Sequence, residues 1–146
     1  FAAPTINIGP RVNCLSHRDS SNDTAGICLD YIDGIYDSLT GGHLVFHEAM
    51  RVVRMRPGGI VIFPSAAVTH ETIPVKPHET RFSITGYMAG AIRRYLDAGG
   101  RTLIEWRAVD PEGAARSAEG GELRWKSGCQ RFKTPTELLL FWSRRI

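Results

Sequence analysis

Residues 57–87, PGGIVIFPSAAVTHETIPVKPHETRFSITGY, decide the fold that this sequence predicts. Pro57-Gly58-Gly59 is a turn signal, because proline fixes φ and glycine accepts left-handed conformations. The apolar, β-branched run at residues 60–63 is typical of a buried strand. Residues 68–75 and 79–87 predict two further strands with a proline-containing turn between them. The stretch therefore predicts three short neighbouring strands.

Two polar side chains interrupt the last of these strands on one face. Arg81 and Ser83 are two residues apart, and alternate residues of a strand share a face. A buried guanidinium is costly without a partner, and a carboxylate satisfies it through two parallel hydrogen bonds. The pair therefore predicts a carboxylate-binding site. The alternative is that Arg81 reaches solvent or pairs with Glu79 or Glu71.

A second set of polar residues predicts a metal site. His17 and Asp19 lie two residues apart at the end of another predicted strand, so they share a face. His70 lies on the predicted strand at residues 68–75. Two imidazoles and one carboxylate form the facial donor set of non-haem Fe(II), which leaves coordination positions open on one side. Arg81 and Ser83 would then hold a carboxylate beside the metal.

The strand signals extend over the first 87 residues. Turn residues recur about every 8–12 positions, which favours a mainly β sandwich or barrel. The eight predicted strands are residues 5–8, 11–16, 26–32, 43–47, 50–55, 60–63, 68–75 and 79–87. Beyond them, helices are predicted at residues 89–98 and from Thr134-Pro135 onward. Residues 101–108 are predicted as a strand or an extension, and residues 110–121 as a loop or a short frayed helix.

Composition narrows the class of protein. The chain has 146 residues, enough for one domain with its own core. No apolar run is long enough for a membrane span, and the opening FAAPTINIGP has no signal-peptide pattern. Cys14, Cys28 and Cys129 fit neither a zinc pattern nor a disulfide framework. A reducing, intracellular location, nuclear or cytoplasmic, is expected.

Charge is unevenly distributed between the two parts of the chain. Residues 1–88 hold 7 basic and 8 acidic side chains, whereas residues 89–146 hold 11 and 7. A basic C-terminal part is compatible with contacts to the phosphates of a nucleic acid. The alternative is an ordinary solvated surface.

The motifs HRD, GGHL, FPSAAVTH and ETRFS resemble those of a known superfamily. The segment GGHLVFHEAMRVVRMRPGGIVIFPSAAVTHETIPVKPHETRFSITGYM is similar to the double-stranded β-helix (jelly-roll) core of the Fe(II)/2-oxoglutarate-dependent dioxygenases. Within them it resembles the prolyl-hydroxylase-like group and, more closely, fungal proteins related to the TET/JBP nucleic-acid oxygenases. The resemblance covers residues 6–95, and more weakly extends to RWKSGCQRFKTPTELL near the end.

The resemblance implies a role for each motif residue. Fe(II) would be bound by the HxD pair and the later histidine, and the distal carboxylate of 2-oxoglutarate by the arginine and serine. O2 would be the second co-substrate. Two further residues are candidates for the other end of 2-oxoglutarate. In order, these residues are His17, Asp19 and His70 for the metal, Arg81 and Ser83 for the distal carboxylate, and Asn13 and Tyr31 for the other end.

The same resemblance implies a jelly-roll core at residues 1–95 and a C-terminal helical extension at residues 96–146, packed on the same domain. The implied activity is oxidation of a C–H bond, with a modified nucleic-acid base as substrate class. A prolyl-type protein hydroxylase is one alternative. Another is a catalytically silent jelly-roll binding module truncated at its N-terminus, since the helices that usually precede the first strand of such enzymes are absent from this sequence.

Overall fold

The protein combines antiparallel sheets with helices in similar proportions. The structure, a computed structural model, describes residues 1–143. Strand takes up 27% and helix 29% of the chain, so the predicted mainly β content is corrected to a mixed fold. Within the described residues, seven strands precede five helices: β1 (Ala3–Asn7), β2 (Cys28–Ile35), β3 (Leu44–Phe46), β4 (Arg51–Val53), β5 (Gly59–Phe63), β6 (His70–Thr72), β7 (Thr80–Tyr87), α1 (Gly90–Asp97), α2 (Leu103–Val109), α3 (Pro111–Glu119), α4 (Gly121–Cys129) and α5 (Pro135–Ser143).

The strands form two antiparallel sheets with one shared core. The four-stranded sheet has the order β1-β7-β2-β5, and the three-stranded sheet has the order β4-β3-β6. Ile32 on β2, Leu44 on β3 and Phe63 on β5 belong to one buried apolar cluster. The rings of Phe46 and Phe63 meet edge to face, with centroids 4.9 Å apart. Because this cluster draws on both sheets, burial of apolar area holds the sheets together.

Residues 10–17, here called the crossing segment, correct the strand predicted at 11–16. The segment forms only isolated bridges in the structure. Arg81 donates its backbone N–H to the carbonyl of Pro10 at 2.9 Å, and Thr72 donates to the carbonyl of Cys14 at 3.0 Å. The segment therefore runs from β7 of one sheet to β6 of the other. It cannot form a continuous ladder because its hydrogen bonds are divided between two sheets.

Two of the helices confirm the sequence prediction. α1 ends at Asp97, and Gly99 and Gly100 follow it with φ values of 67° and 75°. Their N–H groups donate to the carbonyls of Leu96 and Tyr95, as glycine commonly does after a helix. α5 begins after Thr134, whose hydroxyl accepts from the Glu137 N–H at 3.2 Å. This is the capping arrangement that the Thr-Pro-Thr-Glu sequence predicts.

The region between these helices corrects the prediction. Residues 103–109 form a helix rather than a strand, because Thr102 and Glu105 form a reciprocal capping box. α3 is also well formed, since Asp110 caps the Gly113 N–H and Pro111 occupies the first helical position. The prediction contains no counterpart of α4. Local caps thus favour helix over strand in this part of the chain.

The helices contact the strand region through a glycine. Gly128 of α4 lies against the loop at Thr24, and a Cβ at Gly128 would stand 2.7 Å from the Thr24 Cβ. Only glycine permits this close approach of helix and loop. Within residues 1–143, no helix has the length and apolar character needed to cross a membrane.

Candidate metal centre

Three side chains from distant parts of the sequence converge where the crossing segment meets β6. His17 and His70 exchange backbone hydrogen bonds, N–H to carbonyl, of 3.0 and 2.9 Å. The Asp19 N–H donates to the carbonyl of Ser65 at 3.1 Å. One potential ligand atom from each of His17, Asp19 and His70 lies within 4.8 Å of the other two. The structure therefore brings the three residues together.

Hydrogen bonds to backbone carbonyls orient both imidazoles. The Nδ1 of His17 is 2.7 Å from the carbonyl oxygen of Leu15, and the Nδ1 of His70 is 3.0 Å from that of Val68. A carbonyl oxygen only accepts, so each Nδ1 carries the hydrogen. In the neutral form of either ring, the lone pair is then on Nε2. This is the tautomer in which a histidine binds a metal through Nε2 while its other nitrogen is held in place.

The site has a buried side and an open side. His70 is 6% exposed, and burial lowers its pKa, which favours the neutral imidazole that binds metals. The side chains of His17 and Asp19 are 41% and 31% exposed, with His17 Nε2 3.3 Å from Asp19 Oδ1. His70 therefore forms the buried side of the site, and His17 and Asp19 form its more exposed side.

A polar network ties the HxD sequence to the residue preceding His70. Arg18 donates from Nε to the Thr69 hydroxyl at 2.9 Å. Glu48 accepts from the Thr69 backbone N–H at 2.7 Å, and the hydroxyl of Thr69 helps to lower the pKa of Glu48 to about 2. On the other side, the Asn22 amide donates to Asp19 Oδ2 at 3.2 Å. These contacts fix the segments that carry the three candidate ligands.

A cavity of about 600 Å³ adjoins the three residues. It is lined by the predicted metal ligands, by both predicted carboxylate-binding residues and by Asn13, as well as by polar residues of β1 and β7. The structure thus brings together His17, Asp19, His70, Arg81, Ser83 and Asn13. The candidate metal ligands and the arginine that could bind an anion therefore line the same cavity.

Arg81 is buried at this cavity. Its side chain is 2% exposed, and its Nη1 donates to the carbonyl of Val12 at 2.7 Å. Its Nε has no hydrogen-bond partner among the described residues. Burial lowers the pKa of the guanidinium, yet a guanidinium remains charged at any ordinary pH. An unsatisfied buried donor on a charged group is costly, which points to an anion as its missing partner.

The alternative partners proposed for Arg81 are occupied elsewhere. Glu79 accepts the backbone N–H groups of Asp37 and Lys76 at 2.9 and 2.7 Å. The Oε1 atom of Glu71 lies 3.6 Å from the Nε2 atom of His47. With its 2% exposure, Arg81 does not reach bulk solvent either. The interpretation of Arg81 as an ordinary surface or ion-paired arginine is therefore wrong for this structure.

Tyr31 lies outside the cavity, unlike Asn13. Its hydroxyl donates to Asp33 at 2.7 Å on the same strand. Successive residues of β2 point to opposite faces, and the cavity is lined by Cys28 and Asp30 from the other face of this strand. The candidate role of Tyr31 in binding the far end of a ligand is corrected for this reason.

Asp30 is the cavity residue that the sequence analysis missed. Its Oδ1 is buried without a hydrogen-bond partner among the described residues. Burial raises its pKa to about 6, Arg81 opposes that rise and Asp19 adds to it. The signal was present in the alternation of β2, because Cys28, Asp30 and Ile32 share a face and the outer two are apolar. A carboxylate between two buried apolar residues marks an inward-facing acid.

Comparison with known proteins adds no family to this description. No family model matches the sequence, and no curated protein matches it significantly. The class of protein is therefore defined by its own fold and site: a protein of two antiparallel sheets with C-terminal helices and a His-Asp-His cluster beside a buried arginine.

Proposed function

We propose that the protein is an Fe(II)- and 2-oxoglutarate-dependent oxygenase that oxidises a C–H bond. One observation carries the proposal: a His-Asp-His cluster and a buried, incompletely satisfied arginine line one cavity. The motif resemblance of residues 6–95 supports the same conclusion. In this proposal the two antiparallel sheets are the two halves of a jelly roll, with the site between them.

The donor set fits a divalent iron. His17 and His70 offer Nε2 atoms and Asp19 offers a carboxylate oxygen, which is the two-histidine, one-carboxylate set. Three protein ligands leave three positions of an octahedral ion for other molecules. The amide of Asn22, bonded to Asp19, would orient that carboxylate as outer residues do in many metal sites.

The arginine fits the distal carboxylate of 2-oxoglutarate. Arg81 lines the cavity and carries a buried Nε–H without a partner among the described residues, and a carboxylate would accept from the guanidinium in a geometry that lysine cannot match. Ser83 is buried on the same strand and is 3.1 Å from the Asn7 amide, from which its hydroxyl accepts. Its hydroxyl hydrogen therefore remains for the same carboxylate.

Iron and 2-oxoglutarate, when bound, supply the oxidative chemistry with O2. The residues of the chain would bind the metal and the co-substrate, orient them and limit the access of water. His17, Asp19 and His70 fix the position of the metal, and Arg81 with Ser83 fixes the co-substrate at its far end. The apolar wall made by Phe63 and Leu44 limits the water that can enter.

An anaerobic titration tests this proposal most directly. Fe(II) and 2-oxoglutarate together are expected to give the weak visible charge-transfer band of the chelate, and neither is expected to give it alone. Succinate, which lacks the keto group, serves as the matched ligand control. A protein that binds Fe(II) but never develops the band with 2-oxoglutarate would fit the silent binding module instead.

A second cavity, in the helical region, bears on the substrate class. It has a volume of about 440 Å³ and lies among α1 to α4. Among the described residues, its lining contains no acidic side chain. The lining includes two aromatic residues and four arginines: Tyr95, Trp106, Arg94, Arg101, Arg107 and Arg124. Guanidinium groups beside aromatic rings suit phosphates and stacked bases.

Two of these arginines differ from other arginines of the same helices, because they are not ion-paired within the described residues. Arg93 pairs with Asp97, and Arg116 pairs with Glu112. Within residues 1–143, Arg94 and Arg107 form no salt bridge with a carboxylate. Their free charge supports a polyanionic substrate, such as nucleic acid carrying a modified base, over a neutral one.

Replacing Arg94 and Arg107 together by alanine is therefore expected to weaken binding of an oligonucleotide. If each contacts one phosphate, the slope of log K against log salt should become shallower by about 1.4 for a single strand or about 1.8 for a duplex. The matched control replaces the ion-paired Arg93 and Arg116, which removes the same charge. Fluorescence anisotropy at several salt concentrations measures both. Equal effects of the two double variants, or no binding at low salt, would favour a protein substrate.

A further inference from the structure

Asp30 and Arg81 place opposite charges in one cavity without pairing them. Both side chains line the cavity, and each has a buried polar atom, Oδ1 and Nε, with no hydrogen-bond partner among the described residues. In the register of β2 and β7, Asp30 is opposite Thr85 and Arg81 is opposite Gly34. Their backbone positions are thus four residue pairs apart along the sheet, on the same face of it. The two groups interact through space but make no direct hydrogen bond with each other.

The groups around Asp30 leave Arg81 as its principal counter-charge. The titratable or charged residues that line the cavity with Asp30 are Arg81 and Tyr87 on β7, Cys28 on its own strand, His70 on β6, and Cys14, His17, Arg18 and Asp19 on the crossing segment and just beyond it. The other cation, Arg18, is paired with Glu48. The β5 residue that pairs with Asp30 is Val61, which carries no charge. Asp19 opposes the ionised form of Asp30, whereas Arg81 favours it.

A dicarboxylate bound at Arg81 would favour the neutral form of Asp30 over the ionised form. Its distal carboxylate takes up the positive charge that otherwise favours ionised Asp30, and it adds negative charge in the same confined space. Two carboxylates near each other in a protein interior do not both ionise easily, so one of them holds a proton. Asp30 is the group expected to hold this proton, because burial has already raised its pKa to about 6.

We propose that Asp30 is a specificity-determining residue that stands as a neutral carboxylic acid when a dicarboxylate is bound at Arg81, so that the ligand enters together with one proton. This inference rests on the proposed function, since it takes 2-oxoglutarate as the dicarboxylate. The proton comes from solvent and ends on the Asp30 carboxyl group. No bond of the ligand is made or broken in this step.

The sign of the pH dependence follows from linkage. The bound state holds up to one more proton than the free state between about pH 6, above which free Asp30 is ionised, and the higher pKa that Asp30 has when the ligand is bound. Binding of 2-oxoglutarate should then weaken as the pH rises, by up to about tenfold for each pH unit. Below about pH 6 the dependence should flatten, because Asp30 is already protonated. A neutral amide at this position would remove the dependence.

Calorimetry with a redox-inert metal tests the proposal without turnover. 2-Oxoglutarate is titrated into the Mn(II)-loaded protein at pH 7.5 in three buffers of different ionisation enthalpy, so that proton uptake is read from the buffer dependence of the heat. Uptake of about one proton is expected for the unaltered chain. Asp30→Asn should take up about none and should bind 2-oxoglutarate about tenfold more tightly or better at this pH. With Mn(II) bound, the ligand histidines do not contribute.

Asp33→Asn is the matched control. Asp33 lies on the same strand but on the outer face with Tyr31. The Asp33→Asn substitution therefore removes the same charge without altering the cavity. It should leave both proton uptake and affinity unchanged. Zero uptake by the unaltered chain, or equal uptake by Asp30→Asn, overturns the inference and leaves the proposed function standing. Failure of 2-oxoglutarate to bind at any pH between 5.5 and 8 overturns both. Should Asp30→Asn not fold, the proton count of the unaltered chain decides alone.

Discussion

Replacing His17 by alanine is expected to lower the affinity for Fe(II) by on the order of 100-fold or more. Loss of a residue that merely supports a ligand costs about 10- to 100-fold, and loss of one of three ligands should cost at least the upper value. The side chain is 41% exposed, so the fold should tolerate the change. Equilibrium competition with a fluorescent chelator under anaerobic conditions measures the affinity.

His78→Ala is the control for this experiment. His78 is exposed in the turn before β7 and does not line the cavity, so its loss should leave metal affinity within a factor of about two, as for an ordinary surface substitution. If His17→Ala and His78→Ala bind Fe(II) equally well, the His-Asp-His cluster is not the metal site. The thermal midpoint of each variant separates lost binding from lost folding.

Replacing Arg81 by lysine is expected to weaken 2-oxoglutarate binding by about 10- to 100-fold while Fe(II) affinity stays nearly constant. Lysine keeps the charge but loses the planar fork that meets a carboxylate with two donors. One lost hydrogen bond to a charged group corresponds to about 1.5–3 kcal/mol, and each 1.4 kcal/mol is about tenfold in affinity. Calorimetric titration of the Mn(II)-loaded variant measures the change.

Arg11→Lys is the matched arginine control. Arg11 lies near Arg81 in the backbone pairing, but its guanidinium is exposed and donates to the carbonyl of Pro77 at 2.7 Å. It should leave both affinities unchanged. If Arg81→Lys instead lowers Fe(II) and 2-oxoglutarate affinity to the same extent, Arg81 is structural. Its hydrogen bond to the Val12 carbonyl would then be its principal role.

The sequence predicts the structure best where the spacing of side chains follows the period of the strand or helix that carries them. The i, i+2 spacing placed Arg81 and Ser83 on one strand face, and both line the cavity. The structure also places one potential ligand atom from each of His17, Asp19 and His70 within 4.8 Å of the other two. Helices α1 and α5 followed from glycine stops and a capping box, which act within one turn of helix.

The errors arose where several segments compete for the same partners. Residues 11–16 have a strand-like composition, but their hydrogen bonds are shared between β7 and β6, so no ladder forms. Residues 101–121 contain more helix than their composition predicts, because Thr102 and Asp110 cap α2 and α3. Tyr31 was placed in the site by residue type alone, whereas the pleat of β2 turns it away from the cavity.

The sequence by itself determined the donor types, their order and the strand faces that carry them, because these depend on residue chemistry and on a period of two. Only the tertiary structure decided which groups share the cavity and which lack partners. The structure shows that Asp30 and Arg81 each have a buried polar atom without a partner among the described residues. It also shows that Glu79 and Glu71 interact with other groups and not with the Nε of Arg81. Burial and pairing depend on contacts between residues far apart in the chain, such as Val12 with Arg81 and His17 with His70. Spacing along a sequence does not encode these contacts, since they form only when the two sheets pack.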